Sequence, residues 1–266
     1  MSQLTLAPPA GHYRVRDVVK SEIAKVVTLP STAIILGVTV VVGLLVTALV
    51  THNAVYHLGD PGYDPTSMAL TGLVVAGLTG GVFGALLITA EYSSGTIRAT
   101  LSATPRRPVL LAAKIGVTAA ATVVFCELLS FVSFFLGQAV LSGKGYPTAG
   151  LASPGALRAV LATGLCIALL ALMSFGIGLI VRNTAGAIAG FAGVVFVLPL
   201  VMRGISRPAV RYLPTNILTN SVMATVNQGQ GGPFQPVSPA VGLGLMVLYA
   251  AVALAVGAAL FLKRDA

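Results

Sequence analysis

Six long apolar stretches alternate with short polar breaks along the chain: Thr32 to Val50, Ser67 to Ala90, Val109 to Leu141, Ala156 to Val181, Thr184 to Met202 and Pro239 to Leu262. Crossing the hydrocarbon core of a bilayer takes about 20 consecutive apolar residues in a helix. A helix is required because its backbone groups must satisfy one another where no water can. The pattern therefore predicts an all-α integral membrane protein with six transmembrane helices, and residues 1–266 read as a single transmembrane domain. The first stretch is longer than the roughly 7 to 15 residues of a signal-peptide core and follows a long polar leader, so it reads as a retained span.

Ahead of that span, over 12–29, Val15, Val18, Val19, Ile23, Val26 and Val27 recur at helical spacing, with Arg16, Asp17, Lys20, Glu22 and Lys25 between them. One greasy face predicts an amphipathic helix in the inner interface, turned into the first crossing by Pro30-Ser31. An ordinary juxtamembrane helix without a partner fits the same pattern. The leader, Met1 to Gly11, reads as disordered. In the second stretch Gly77, Gly80, Gly81 and Gly84 give overlapping small-xxx-small spacings, which permit close helix packing and favour contacts inside the bundle over a dimer seam. Gly186 and Gly190 repeat the spacing in the fifth stretch, and the minimal turn Arg182-Asn183-Thr184 predicts a hairpin with the fourth. Between the fifth and sixth, the segment 203–238 carries Tyr212, Leu213, Ile217, Leu218, Val222, Met223 and Val226, a short amphipathic helix starting at Pro214-Thr215. Polar, glycine-rich sequence from Asn227 to Gly232 follows. A cap over an exit and an inert interfacial loop both suit this segment.

Hydrophobic residues make up 56% of the chain and charged ones 9%, with a mean hydropathy of +0.94. Too few charges remain to cover a soluble domain. The net charge of +9 does not point to nucleic acid, because the cations are scattered over the breaks between spans and set topology instead. Arg14, Arg16, Lys20, Lys25, Arg98, Arg106, Arg107, Lys114, Arg182, Lys263 and Arg264 fall on one side, and only Lys144, Arg158, Arg203, Arg207 and Arg211 on the other. Short cytoplasmic loops retain Lys and Arg, so both termini are expected in the cytoplasm. Cys126 and Cys166 sit singly in apolar runs and read as small core residues.

Catalytic chemistry finds little support. Gly143-Lys144-Gly145 lacks the spacing and the hydroxyl of a phosphate-binding loop, so the chain is not expected to bind ATP, to be an enzyme or to hold a cofactor or metal. His52, His57, Asp60 and Asp64 share one loop, without the helical i, i+4 spacing of metal ligands. Glu127 is the one acidic residue inside an apolar run. It lies about 20 Å along a helix from Lys114, near mid-bilayer, where an acidic group costs about 3 kcal/mol to insert. It is expected to face the bundle interior or a wet cavity, as a switch group or as the partner of a neighbouring Ser or Thr.

The break from 91 to 108 is the most structured of the polar segments. Glu91-Tyr92 end the second span, and Ser93 or Ser94 can cap a short helix in which Ile97 and Leu101 share a face with Arg98 turned elsewhere. Pro105 stops it, Arg106-Arg107 follow, and Lys114 returns the chain to the membrane. Apolar knobs ringed by charge suit a hydrophobic cleft on a soluble partner; a solvated basic loop is the plainer alternative.

At these residues the chain resembles the permease subunits of type-2 ATP-binding-cassette transporters, particularly the six-helix bacterial group related to drug and antibiotic exporters. The likeness rests on the acidic-aromatic pair Glu91-Tyr92, on Gly95-Thr96-Ile97 opening a coupling helix, on the break Pro105-Arg106-Arg107 and on Lys114. Ser21-Glu22-Ile23-Ala24-Lys25 looks like that group's connecting helix, and Phe261-Leu262-Lys263-Arg264-Asp265 like its ending. The resemblance implies a multi-pass protein of a bacterial cytoplasmic membrane, in contact with lipid, that pairs with a second permease, expected to be identical, and with a separate cytoplasmic ATPase subunit. ATP and Mg would belong to that partner. Glu91, Tyr92, Gly95, Thr96, Ile97, Arg98, Leu101, Pro105, Arg106 and Arg107 would form the coupling site, with Ile97 and Leu101 in a groove of the ATPase. Export of an amphiphilic small molecule, peptide or lipid-like compound is the leading expectation. The alternatives are a proton-coupled secondary transporter working through Glu127, and a membrane scaffold or immunity factor.

Overall fold

The computed structural model describes residues 15–56, 62–103, 106–224 and 237–263, without the side chains of Arg98, Leu101, Ala103 and Arg207. Met1 to Gly11, His57, Asp60, Pro105 and Asn227 to Gly232 lie outside the described residues.

The chain runs through α1 (Val15–Thr28), α2 (Pro30–His52), α3 (Pro65–Leu70), α4 (Gly72–Ser93), α5 (Thr96–Ala103), α6 (Arg107–Gly143), α7 (Ala156–Val181), α8 (Thr184–Ala192), a π-helical turn (Gly193–Val197), α9 (Leu198–Ile205), α10 (Arg207–Val210), α11 (Pro214–Ser221) and α12 (Pro239–Lys263). Six helical segments have the length and hydropathy to cross a membrane: Pro30–His52, Pro65–Ser93, Arg107–Gly143, Ala156–Val181, Thr184–Ile205 and Pro239–Lys263. Among the described residues there is no strand. The all-α, six-span expectation holds.

Local chemistry accounts for the boundaries. Pro30, Pro65 and Pro214 occupy first-turn positions, where the missing N–H has no partner to lose. Asp64 caps α3: its Oδ1 accepts from the Thr66 and Ser67 amides at 2.9 and 3.0 Å, while Oδ2 accepts from the Ala224 amide at 2.9 Å. Asp64 is thus a helix cap, with no cation needed to explain it, and also ties α3 to the end of α11. Gly155, at φ +78, and Arg182, at φ 58, bracket α7 in the left-handed region. With 37 residues, α6 is about 55 Å long and outreaches the hydrocarbon core.

Burial assigns the core. The fourth span is 72% buried and the second 56%, against 17, 22 and 22% for the first, fifth and sixth; α4 and α7 therefore form the centre and the others wrap them. The glycines decide how closely. A Cβ on Gly84 would stand 1.9 Å from the Ala171 carbonyl oxygen of α7, and one on Gly81 would stand 2.0 Å from the Phe191 ring of α8. The small-residue stripe is an internal packing face, as its spacing suggests. Gly84→Val is accordingly expected to lower the thermal midpoint in detergent and the yield of monodisperse protein several-fold, because backbone cannot give way as a side-chain tip can. Gly116→Ala, where the added carbon meets open space, should leave both unchanged; equal behaviour of the two variants would refute this packing.

Candidate coupling site at the base of the bundle

The end of the bundle that carries α1 and α5 is built by a sharp break. The last turn of α4 closes at Ser94, whose hydroxyl donates to the Ala90 carbonyl at 2.7 Å, and Gly95 takes φ +70, a conformation that favours glycine. α5 then starts at Thr96. The serines expected to cap α5 instead finish α4: Ser93 also donates back to Ala90, at 3.1 Å.

Four charges converge beneath this break. Lys114 Nζ, in the second turn of α6 and 2% exposed, donates to Glu22 Oε2 of α1 at 2.8 Å and to Glu91 Oε1 of α4. Lys25 Nζ donates to Glu22 Oε1 at 2.7 Å and to Glu91 Oε1 at 3.0 Å. Two cations and two carboxylates thus form a neutral, largely desolvated cluster joining three helices, and a cavity of about 20 Å³ lies beside it, lined in part by Leu87, Val117 and Phe175. Burial alone would lower the Lys25 ammonium. The hydrogen bond to Glu22 and the charges of Glu91 and Glu22 outweigh it and raise Lys25 above its ordinary value.

This cluster is the largest feature that the expected site did not contain. Glu91 belongs to the expected coupling site, whereas Glu22, Lys25 and Lys114 were expected only as parts of the connecting helix and of the start of the third span. A signal was present: Lys114 interrupts the third apolar stretch and Glu91 stands at the very end of the second, where an unpaired charge is costly, and Glu22 and Lys25 share a helix face at i, i+3.

Ile97 departs from expectation. It is 4% exposed and packs into an apolar cluster with Val18, Ile88, Leu110, Phe175 and Phe261, so it anchors α5 to the bundle and is not an outward knob. Burial of an apolar side chain at the foot of the bundle outcompetes its exposure to water. Among the described side chains of α5, Thr96, Ala99 and Ser102 are exposed, spaced i, i+3, i+6 along one stripe. The side chains of Arg98 and Leu101 are outside the described set. Arg106 is exposed and Arg107 half-buried at the start of α6.

Tyr92 is tied elsewhere: the Arg182 guanidinium carbon lies 5.4 Å from its ring centroid, an arrangement with cation–π attraction. Thr184 Oγ1 donates to Thr89 Oγ1 at 3.0 Å, and Asn183 caps α8 by accepting from the Gly186 amide at 2.9 Å. The tight turn between the fourth and fifth spans is thereby fastened to the foot of α4.

Glu127 is not part of this assembly. Half-buried in α6, its carboxyl faces α7 at Gly164, where an added Cβ would come within 2.7 Å of it. It faces the bundle as expected, against a glycine and backbone where a Ser or Thr was one expected partner. Among the described residues no three His, Cys, Asp or Glu side chains group as metal ligands.

The model of one protein family, described as ABC-2 family transporter protein, matches residues 66–266, well over half of the chain. No curated protein matches it. The matched region runs from α3 to the C-terminus and contains Glu91, α5 and Lys114, while Glu22 and Lys25 precede it.

Proposed function

This chain belongs to the ABC-2 transporter family, a multi-pass membrane transport component, and on that premise we propose that it is the permease subunit of an ATP-driven exporter in a bacterial cytoplasmic membrane. ATP and Mg are handled by a separate cytoplasmic ATPase, which docks on the exposed stripe of α5. Both termini lie on the same, cytoplasmic, side, and two copies of the chain form the pathway. The cargo is an amphiphilic small molecule, peptide or lipid-like compound.

The buried cluster of Lys114, Glu22, Glu91 and Lys25 supports this reading most directly. An element that receives force must be stiffly joined to what it moves. α5 is held to α4 by a glycine hinge of a single residue and to the bundle by Ile97, and Glu91, in the last turn of α4, belongs to the cluster that clamps α1, α4 and α6 together. Displacement of α5 is then carried to the second and third spans as one body. Coupling is reciprocal as a free energy, so bound cargo must change the affinity of the complex for nucleotide by the factor by which nucleotide changes the affinity for cargo.

The test is isolation of the tagged chain from its native membrane. An ATPase subunit is expected to co-purify, and reconstituted flux is expected to stop on ATP depletion. Flux that persists without ATP and collapses with a protonophore would replace this reading with proton coupling through Glu127, and binding of a partner without any flux would replace it with a scaffold.

A further inference from the structure

The fifth span is interrupted in a way that opens a groove. Pro199 has no N–H, so the Val195 carbonyl four residues earlier receives no helical hydrogen bond. The backbone answers with the π-helical turn Gly193–Val197, in which the Leu198 amide reaches back to the Gly193 carbonyl. The orphaned Val195 carbonyl accepts instead from Thr215 Oγ1 of α11. Between this broken helix, α7 and α12 runs a groove of about 510 Å³, walled by residues such as Ile177, Val194, Leu198, Leu248 and Val252. Of all its lining side chains only Tyr249 has a hydrogen-bonding group.

One end of the groove is polar, and only in one sense. Tyr249 donates to the Tyr212 carbonyl at 2.8 Å. The Arg211 guanidinium lies 4.7 Å from the Tyr212 ring centroid and donates to its hydroxyl at 2.7 Å, while its Nε is buried without a partner among the described residues. From residue 128 to residue 264 the chain contains no Asp or Glu, yet Arg203, Arg207 and Arg211 all fall beside this rim in sequence. Asp64, a carboxylate of the same end of the bundle, is already occupied by three backbone amides. Among the described residues no other carboxylate shares that end of the bundle, so none of them neutralises the rim.

We propose that this groove is a binding site for an anionic membrane lipid, with an acyl chain against Ile177, Val194 and Val252 and the anionic headgroup on Arg211. Its volume lies in the range of small-molecule sites, about 300–1,000 Å³, and an apolar trough ending in an unneutralised guanidinium matches an anionic amphiphile in both shape and charge. A zwitterionic lipid would fill the trough equally well but offer the arginine less. The site is independent of the ATPase coupling proposed above, and can be tested on the permease alone.

The experiment is native mass spectrometry of the delipidated chain titrated with phosphatidylglycerol and with phosphatidylcholine of the same acyl composition. Phosphatidylglycerol is expected to bind about tenfold more tightly, a difference of one charge-assisted contact. Arg211→Gln should abolish that preference while leaving phosphatidylcholine binding unchanged, and Val252→Trp, at a half-exposed position that tolerates bulk, should weaken both lipids. Lys20→Gln, an exposed cation on α1, should alter neither. Equal binding of the two lipids, or equal effects of Arg211→Gln and Lys20→Gln, overturns the proposal. So does a Val252→Trp variant that changes the proportion of dimer without changing lipid uptake, which would make the groove a seat for a second copy.

Discussion

Lys114→Met is expected to be among the most damaging single substitutions in this protein, costing about 3–5 kcal/mol, because it leaves Glu22 and Glu91 in a desolvated site with Lys25 as their one remaining partner among the described residues. The decisive measurement is a double-mutant cycle. Glu91→Leu combined with Lys114→Met keeps the Glu22–Lys25 pair at 2.7 Å and restores neutrality. Exchange of a buried ion pair for apolar side chains is often neutral in stability. The double variant should therefore be more stable than the Lys114→Met single variant, with a coupling energy on the order of 1–3 kcal/mol. If thermal melts in detergent instead show the two substitutions adding, the four groups do not act as a unit, and the clamp between α1, α4 and α6 disappears with them. A spin-label distance from α1 to α6 adds an independent readout: it should broaden in Lys114→Met and narrow again in the double variant.

Two aspartate substitutions two residues apart on α5 should fail for different reasons. Ile97→Asp removes a side chain that is 4% exposed and puts a charge in its place, so it should cost at least the about 2–5 kcal/mol of truncating a buried isoleucine and deplete folded permease. Ala99→Asp lies on the exposed stripe. It should leave the melting behaviour of the isolated permease within about 0.5 kcal/mol of the parent and lower recovery of the ATPase by an order of magnitude. Normal ATPase recovery with Ala99→Asp would move the docking surface off α5.

The number, order and approximate ends of the spans were legible in the sequence because the bilayer imposes a length and a composition on any segment that crosses it. α5 was legible because Gly95 and the Pro-Arg-Arg break punctuate it on either side. What Ile97 faces was not. An isolated short amphipathic helix has an apolar side, but the sequence does not say whether that side meets a partner or its own bundle; here Ile97 joins an apolar cluster whose members include Val18 of α1 and Phe261 of α12, from opposite ends of the chain. The broken fifth span was half-legible: Pro199 marks the place, but the hydroxyl that takes over the Val195 carbonyl comes from a helix 20 positions downstream.

Hydropathy period and helix punctuation, read alone, determined that this is an all-α protein of six crossings with an amphipathic helix before the first and a short helix between the second and third. Both follow from constraints that act on neighbouring residues. Tertiary structure alone decided which charges share a cluster, since Lys114 and Glu22 are 92 positions apart and α1, α4 and α6 bring them together only once packed. The physical reason is that a charge's partner is set by distance in space, and in a low-dielectric bundle only the packing of whole helices fixes those distances.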